Sequence, residues 1–163
     1  MFDAANPCPC GTGETYGACC ERWLAGAPAP TALALMRSRY TAYVVGAIDY
    51  LVETHDEASR AQVDVAATTA WSRETSWQGL EILDVVAGGE GDREGVVEFI
   101  ARGVTRGTPF AQRERSRFRR AEDRWTYVDG EARQAPVRKA ATQGRNELCA
   151  CGSGRKFKRC HGA

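Results

Sequence analysis

Residues 77–105 read WQGLEILDVVAGGEGDREGVVEFIARGVT. Two runs rich in Val, Ile and Leu flank a glycine-rich segment at 88–92, a pattern that predicts a β-hairpin. The runs PFAQRERSRFRR (109–120) and RWTYVDG (124–130) follow, separated by a short polar turn. We therefore expect consecutive strands of one antiparallel sheet.

In the segment before these strands, apolar side chains have the spacing of helices. Apolar side chains recur every three or four residues after Thr31, a suitable N-cap, and Gly46 is placed to end this first helix. A second helix is predicted for 47–53 and a third between 61 and 72. Three helices followed by an antiparallel sheet define an α+β domain.

The strand at 110–119 alternates between two kinds of side chain, so each kind lies on its own face. One face carries a row of arginines: Arg113, Arg115, Arg117 and Arg119. The other carries Phe110, Gln112, Glu114, Ser116 and Phe118. If the phenylalanines point inward, Glu114 lies inside the domain and needs a partner. Three side chains are available as that partner: Arg37, Arg39 and His55.

The arginine row has two explanations. Its guanidinium groups could contact nucleic acid, or they could pair with acidic side chains on the adjacent strands. Glu81 and Glu98 occupy those strands. Opposite charges across a strand pair are mutually stabilising, so we favour cross-strand ion pairs.

All seven cysteines lie near the two ends of the chain. Shifting CPCGTGETYGACC (8–20) by 141 positions superimposes it on CACGSGRKFKRCH (149–161), and both follow the pattern C-x-C-x(8)-C-[C/H]. The glycines and one aromatic position match as well. Two copies of one module disfavour a redox pair or a disulfide framework, and they predict two metal sites.

Each copy supplies four soft donors that can close tetrahedrally on Zn²⁺, although iron could occupy such a site in part. The predicted ligands are Cys8, Cys10, Cys19 and Cys20 in one site, and Cys149, Cys151, Cys160 and His161 in the other. Because four protein ligands leave no open position, we expect two structural zinc ions. The predicted organisation is an N-terminal zinc module at 1–24, a central α+β domain at 31–131, a basic linker at 132–143 and a C-terminal zinc module at 144–163.

Charge is distributed unevenly along the chain. Residues 1–131 hold 14 basic and 20 acidic side chains, whereas 132–163 hold eight basic and one acidic. Within the C-terminal module the basic residues are Arg155, Lys156, Lys158 and Arg159, and the N-terminal module has Glu14, Thr15, Gly17 and Ala18 at the same positions. We expect this basic surface to bind an acidic partner; the alternative is that it only offsets the thiolate charge.

The modules resemble the SEC-C zinc motif found at the C-terminus of the SecA translocation ATPase, most closely in GRNELCACGSGRKFKRCHG (144–162). That resemblance implies the C-terminal ligand set named above and docking to ribosomes or to protein partners. The N-terminal copy differs because it ends in two cysteines.

Between the modules, LMRSRYTAYVVGAIDYLVETH (35–55), WQGLEIL (77–83), ERSRF (114–118) and RWTYVDG (124–130) resemble the YchJ family. Its central domain is similar to nuclear transport factor 2, which implies a cone in which a curved sheet wraps helices around a cavity. His55 is followed here by Asp-Glu, where the family usually has proline.

Two functions of different class remain open. One is a non-catalytic zinc-binding adaptor whose C-terminal module docks to the ribosome or a ribosome-bound protein. The other is small-molecule binding or catalysis in a cavity lined by Arg37, Tyr40, Tyr43, His55 and Glu114. Without a nucleophile–base pair or a phosphate loop we favour the adaptor and expect no catalytic residue. No signal peptide or membrane-length apolar run is visible, so we expect a cytoplasmic protein without a membrane partner.

Overall fold

The computed structural model describes residues 2–133, 146 and 155–159. Its sheet has four antiparallel strands in the order β1-β2-β3-β4. They span Thr75–Ala87 (β1), Glu94–Thr105 (β2), Thr108–Ala121 (β3) and Arg124–Arg133 (β4). Each strand pairs with the next one in the chain. The predicted α+β class and the antiparallel sheet are confirmed.

Five α-helices occur in the described residues: Glu21–Leu24 (α1), Ala32–Val45 (α2), Ile48–Glu53 (α3), Glu57–Arg60 (α4) and Val65–Glu74 (α5). Three of them, α2, α3 and α5, are the predicted helices. The other two have four residues each, too few to produce a periodic pattern. None of the described helices is long and apolar enough to span a membrane.

Helix α2 begins and ends where the sequence predicts. Thr31 has extended backbone angles, and its hydroxyl accepts a hydrogen bond from the Ala34 amide at 3.0 Å. Gly46 closes the helix in the left-handed conformation, with φ of 78°, and its amide donates to the Ala42 carbonyl. Both ends therefore have partners for backbone groups that the helix itself leaves unpaired.

The core lies between α2, α3 and the inner face of the sheet. Leu35 and Leu51 from the helices pack with Val97 and Phe118 from the strands, and all four are almost fully buried. Strand β1 contains two register shifts, near Trp77 and Ile82. Because such bulges bend a strand, they help β1 follow the helices that it contacts.

The β1–β2 hairpin approaches the start of α2 so closely that the hairpin residues at the contact have no room for a side chain. The Ala32 amide donates to the Gly88 carbonyl at 2.9 Å, which brings the helix start against the hairpin. A Cβ atom added to Gly95 would lie 2.6 Å from Gly88 Cα and 2.9 Å from Ala32 Cβ. Glycine at these two hairpin positions is therefore what allows the helix and the sheet to meet.

Gly95→Ala should lower the free energy of unfolding by about 1–3 kcal/mol, because the backbone must move to admit the methyl group. Urea unfolding measures the change. Gly91→Ala is the matched control, since a Cβ atom there meets nothing within 4 Å. It should stay within about 0.5 kcal/mol of the parent. Equal losses for the two variants would contradict the close approach.

Candidate metal centre and central cavity

Cys8, Cys10, Cys19 and Cys20 lie together in a small buried cluster with Tyr16. A tight turn forms this cluster: the Cys8 amide donates to the Glu14 carbonyl at 2.8 Å, and the Gly11 amide donates to the Cys8 carbonyl at 3.2 Å. Gly11 has φ of 76°, a conformation that costs glycine little. The second cysteine pair is supplied by the turn that leads into α1.

The four Sγ atoms all lie within 4.8 Å of one another. Cys10 Sγ is 3.5 Å from Cys19 Sγ, which in turn is 3.8 Å from Cys20 Sγ. These separations are far longer than a disulfide bond of about 2.05 Å. Four sulfurs around one ion at about 2.3 Å would lie about 3.8 Å apart, so the arrangement fits tetrahedral coordination.

The thiols do not share one protonation state. Hydrogen bonding from Cys20 lowers the pKa of Cys10 to about 4. Burial raises the pKa of Cys19 to about 11. The pKa of Cys20 is also raised, first by its hydrogen bond to Cys10 and then by burial. The Cys10 thiolate is thus stabilised by hydrogen bonds from neighbouring thiols and from Thr12, and a bound cation would add a positive charge to the cluster.

The cysteine cluster packs directly against helix α2. Arg37 Nη1 donates to the Cys10 carbonyl at 2.5 Å, and Thr41 Oγ1 lies 3.9 Å from Cys8 Sγ. Leu24 of α1 packs against both the cysteine cluster and the main core. The prediction that Arg37 lines the central cavity is therefore wrong, because its guanidinium is used at the junction with the metal centre.

Tyr40, Tyr43 and Glu114 do line a central cavity of about 90 Å³. Its other walls are largely aromatic, with Trp71 and Trp77 stacked edge to face at 4.9 Å. Burial raises the pKa of both Tyr40 and Tyr43. The cavity therefore presents neutral phenols, the Glu114 carboxylate and the Arg39 guanidinium.

Glu114 has neutral partners instead of a basic one. Its carboxylate accepts hydrogen bonds from Ser116 Oγ at 2.7 Å, Gln112 Nε2 at 2.9 Å and Tyr127 OH at 3.1 Å. Among the described residues no ion pair joins it to Arg37, Arg39 or His55. The expected ion pair is not formed, because donors on its own strand and on β4 already occupy the carboxylate oxygens; Arg39 lines the same cavity and acts on Glu114 through its charge without a direct hydrogen bond.

His55 lines an adjoining pocket of about 400 Å³ that also contains Arg39, Tyr43 and Tyr127. Its Nδ1 lies 3.2 Å from Ser59 Oγ. Burial, together with the positive charges of Arg39 and Arg60, lowers the pKa of His55 to about 4. The imidazole is therefore neutral near pH 7.

Two residues that contact this region were not predicted as part of it. Tyr127 lines both pockets, and its hydroxyl donates a hydrogen bond to Glu114. Gly130 leaves room for the Glu114 carboxylate. A Cβ atom on Gly130 would overlap Glu114 Oε1. Strand alternation could have placed Tyr127, but the need for glycine depends on a side chain from another strand.

Three members of the arginine row form the expected cross-strand ion pairs, whereas the partner of the fourth, Arg119, is the N-cap residue of α4. Arg113 and Arg115 both pair with Glu98, Arg117 pairs with Asp129, and Arg119 pairs with Asp56. Glu81, however, pairs with Arg102 of β2 and not with the row.

At the other end of the chain, Arg155, Lys156, Lys158 and Arg159 are exposed, the last two in a short 3₁₀ helix at Phe157–Arg159. The predicted ligands Cys149, Cys151, Cys160 and His161 lie outside the described residues. The second metal site therefore stays a prediction.

Comparison with known proteins matches residues 31–130 to the family described as YchJ, middle NTF2-like domain. Residues 6–22 and 145–163 match the SEC-C motif. The chain is 45% identical over 159 residues to UPF0225 protein GSU1048 of Geobacter sulfurreducens, covering 97% of this chain and 99% of that protein.

Two solved structures are also similar. The solution structure of RPA3114, a SEC-C motif containing protein from Rhodopseudomonas palustris, has a TM-score of 0.71 and 41% identity, over 78% of this chain and 98% of that one. The crystal structure of a SEC-C motif containing protein from Psychrobacter arcticus has a TM-score of 0.69 and 31% identity, over 99% and 98%. Both support the fold described above.

The depressed pKa of His55 predicts how it titrates. In the folded protein its ring proton resonances should move with a midpoint near pH 4, whereas in urea the midpoint should return to about 6.5. Between these pH values the unfolded chain binds more protons than the folded one. The stability that neutral His55 contributes is therefore fully present above about pH 6.5 and is lost as the pH falls towards 4.

NMR titration of the native protein measures this, and the spectrum of His55→Gln assigns the signal against His161. The variant should also show a weaker dependence of stability on pH over the same window. A native midpoint near 6.5 would show that His55 is solvated and not enclosed.

Proposed function

The chain belongs to the YchJ family, and from that premise we propose that it is a non-catalytic zinc-binding adaptor. Its SEC-C motifs and its cysteine cluster indicate metal binding. In the proposal, the N-terminal module and the central domain form one structural unit, here called the body, and the C-terminal module docks to an acidic partner. The ribosome, or a protein bound to it, is the first candidate for that partner.

Zinc is favoured at the N-terminal centre by its donor set. Four buried cysteines with sulfur separations of 3.5 and 3.8 Å suit a tetrahedral thiolate site. With four protein ligands, the ion would cross-link the turn and the start of α1 without taking part in a reaction. By the match of residues 145–163 to the same motif, Cys149, Cys151, Cys160 and His161 would hold a second ion.

The observation that carries the adaptor role is the contrast between the two modules. The N-terminal module is fastened to α2 through Arg37 and carries no basic side chain at 14–18. The C-terminal module exposes four basic side chains between its predicted ligands, namely Arg155, Lys156, Lys158 and Arg159. A compact set of exposed cations on a small module favours an acidic surface as partner, in a cytoplasmic setting.

The protein should bind two equivalents of zinc. Cys10→Ser and Cys151→Ser should each remove about one equivalent, because each leaves an incomplete tetrahedron. Their effects on the body should differ: Cys10→Ser should lower the melting temperature of the central domain, since the cysteine cluster packs on α2, and Cys151→Ser should leave it nearly unchanged.

Metal analysis of the reduced protein and a thermal melt followed by near-ultraviolet circular dichroism measure these effects. One equivalent in the parent protein would contradict the two-site assignment. If Cys151→Ser lowers the melt as much as Cys10→Ser, the C-terminal module is docked on the body and the adaptor proposal weakens.

The docking surface can be tested by exchanging it for its N-terminal counterpart. The variant Arg155→Glu, Lys156→Thr, Lys158→Gly and Arg159→Ala should retain zinc, because the N-terminal module forms its cluster with those residues. Association with ribosomes should fall at least tenfold in co-sedimentation, and association of the parent should weaken steeply as salt is raised.

A body variant with the same net change of five charge units is the matched control, since the exchange removes four positive charges and adds one negative charge. It replaces with alanine five exposed arginines of the described body: Arg22, Arg73, Arg93, Arg106 and Arg124. This variant should sediment with ribosomes as the parent does. If the exchanged module loses its zinc, the basic residues serve the metal site; if it keeps both zinc and ribosomes, the docking surface lies elsewhere.

Small-molecule binding in the central domain is the second candidate. The specific observation in its favour is the pair of adjoining pockets that meet at Arg39, Tyr43 and Tyr127. The two functions are compatible, since the pockets lie in the central domain and the basic residues in the C-terminal module.

A further inference from the structure

Arg39 is a buried cation whose hydrogen bonding is incomplete. Its side chain is 6% exposed. Nη1 donates to the Leu51 carbonyl at 2.8 Å and to Thr54 Oγ1 at 2.6 Å, and the guanidinium plane lies over the Tyr127 ring at 4.6 Å. Burial lowers its pKa from the usual value, which reflects the cost of enclosing this charge.

The opposite edge of the guanidinium, formed by Nε and Nη2, makes no hydrogen bond within the described residues. That edge is not sealed from solvent. In the described part of the chain the only fully buried side-chain nitrogen without a partner is Nε of Arg120. Two parallel N–H groups of Arg39 therefore remain without a partner in the described residues, and such a pair can bind a carboxylate through two hydrogen bonds.

Arg39 lines a pocket of about 400 Å³ that lies between β4 and the segment from α4 to α5. Apolar side chains line part of it: Leu51, Val63, Val128 and the rings of Tyr43 and Tyr127. Ser59 and neutral His55 contribute polar groups. Its size and its mixture of apolar walls with a few polar groups are typical of small-molecule sites.

The charges around the pocket disfavour a ligand with more than one negative charge. Arg39 is the one permanent cation among the lining residues. Asp129 is paired with Arg117, and Asp64 is an exposed N-cap that accepts from the Ala67 amide. Glu114 lines the smaller adjoining cavity together with Arg39 and already accepts three hydrogen bonds. With a single cation in the lining and carboxylates close to it, a second negative charge on the ligand would have no counter-charge, which disfavours a phosphate dianion.

We propose that Arg39 anchors a small monocarboxylate with an aliphatic chain in the pocket between β4 and the α4–α5 segment. The Nε and Nη2 groups bind the carboxylate in parallel, and the chain lies against Leu51, Val63 and Val128. This assignment is independent of the adaptor function, because no residue of either zinc module takes part.

The experiment uses the full zinc-loaded protein and three probes of equal length: hexanoate, hexanamide and hexylammonium. Hexanoate should cause saturable shifts of the Arg39 Nε–Hε resonance and of resonances from Val63 and Val128. The amide and the ammonium probes should bind at least tenfold more weakly, since neither provides two anionic oxygens.

Arg39→Lys retains the charge but loses the parallel donors, so its affinity for hexanoate should fall at least tenfold. Arg106→Lys is the matched control, because Arg106 is exposed and pairs with Glu74 at a distant edge of the sheet. It should bind hexanoate as the parent does. If Arg39→Lys does not fold, the shift pattern of the parent protein decides the question.

Three results would overturn the proposal. The first is the absence of saturable shifts with hexanoate at tens of millimolar. The second is equal affinity for hexanoate and hexanamide, which would leave Arg39 without a role in recognition. The third is unchanged affinity in a folded Arg39→Lys variant.

Discussion

Helix α2 is enclosed by other parts of the protein on several sides, and its buried polar groups must therefore find partners within the fold. Ser38 donates to the Leu35 carbonyl and lies 2.7 Å from Tyr50 OH, and Arg39 bonds the end of α3. Thr41 faces Cys8 of the metal centre. Because these partners come from different elements, the position of one helix determines how the metal module, α3 and the sheet lie relative to one another.

The same helix joins the two regions that can hold a ligand. Arg37 and Thr41, four residues apart, meet the cysteine cluster, whereas Tyr40 and Tyr43 line the central cavity. Arg39 borders both pockets of the central domain. A metal ion held by the cysteine cluster would therefore stabilise the helix that shapes the cavity. In the proposed function, this is how the N-terminal module contributes to the protein without a reaction of its own.

The charged residues of the sheet and those of the C-terminal module differ in how their charges are balanced. Each member of the row from Arg113 to Arg119 has an acidic neighbour, on an adjacent strand for the first three and at the N-cap of α4 for Arg119. Their charges are balanced locally, so the sheet surface is a poor candidate for an anionic partner. The basic residues at 155–159 have no comparable density of acids in the sequence around them. This contrast is why the proposed docking surface lies in the C-terminal module.

Sequence alone determined the strands, the ends of α2, the repeated ligand pattern and the inward face of β3, because each depends on local periodicity or spacing. It did not place Arg37 at the metal centre, find neutral partners for Glu114, assign Arg39 to the pockets, or show why residue 130 must be glycine. Those features depend on which atoms from distant segments meet: Arg37 with the Cys10 carbonyl, and Glu114 with Tyr127 and Gly130. A side chain's neighbours across the core are decided by packing, so only the tertiary structure could assign them.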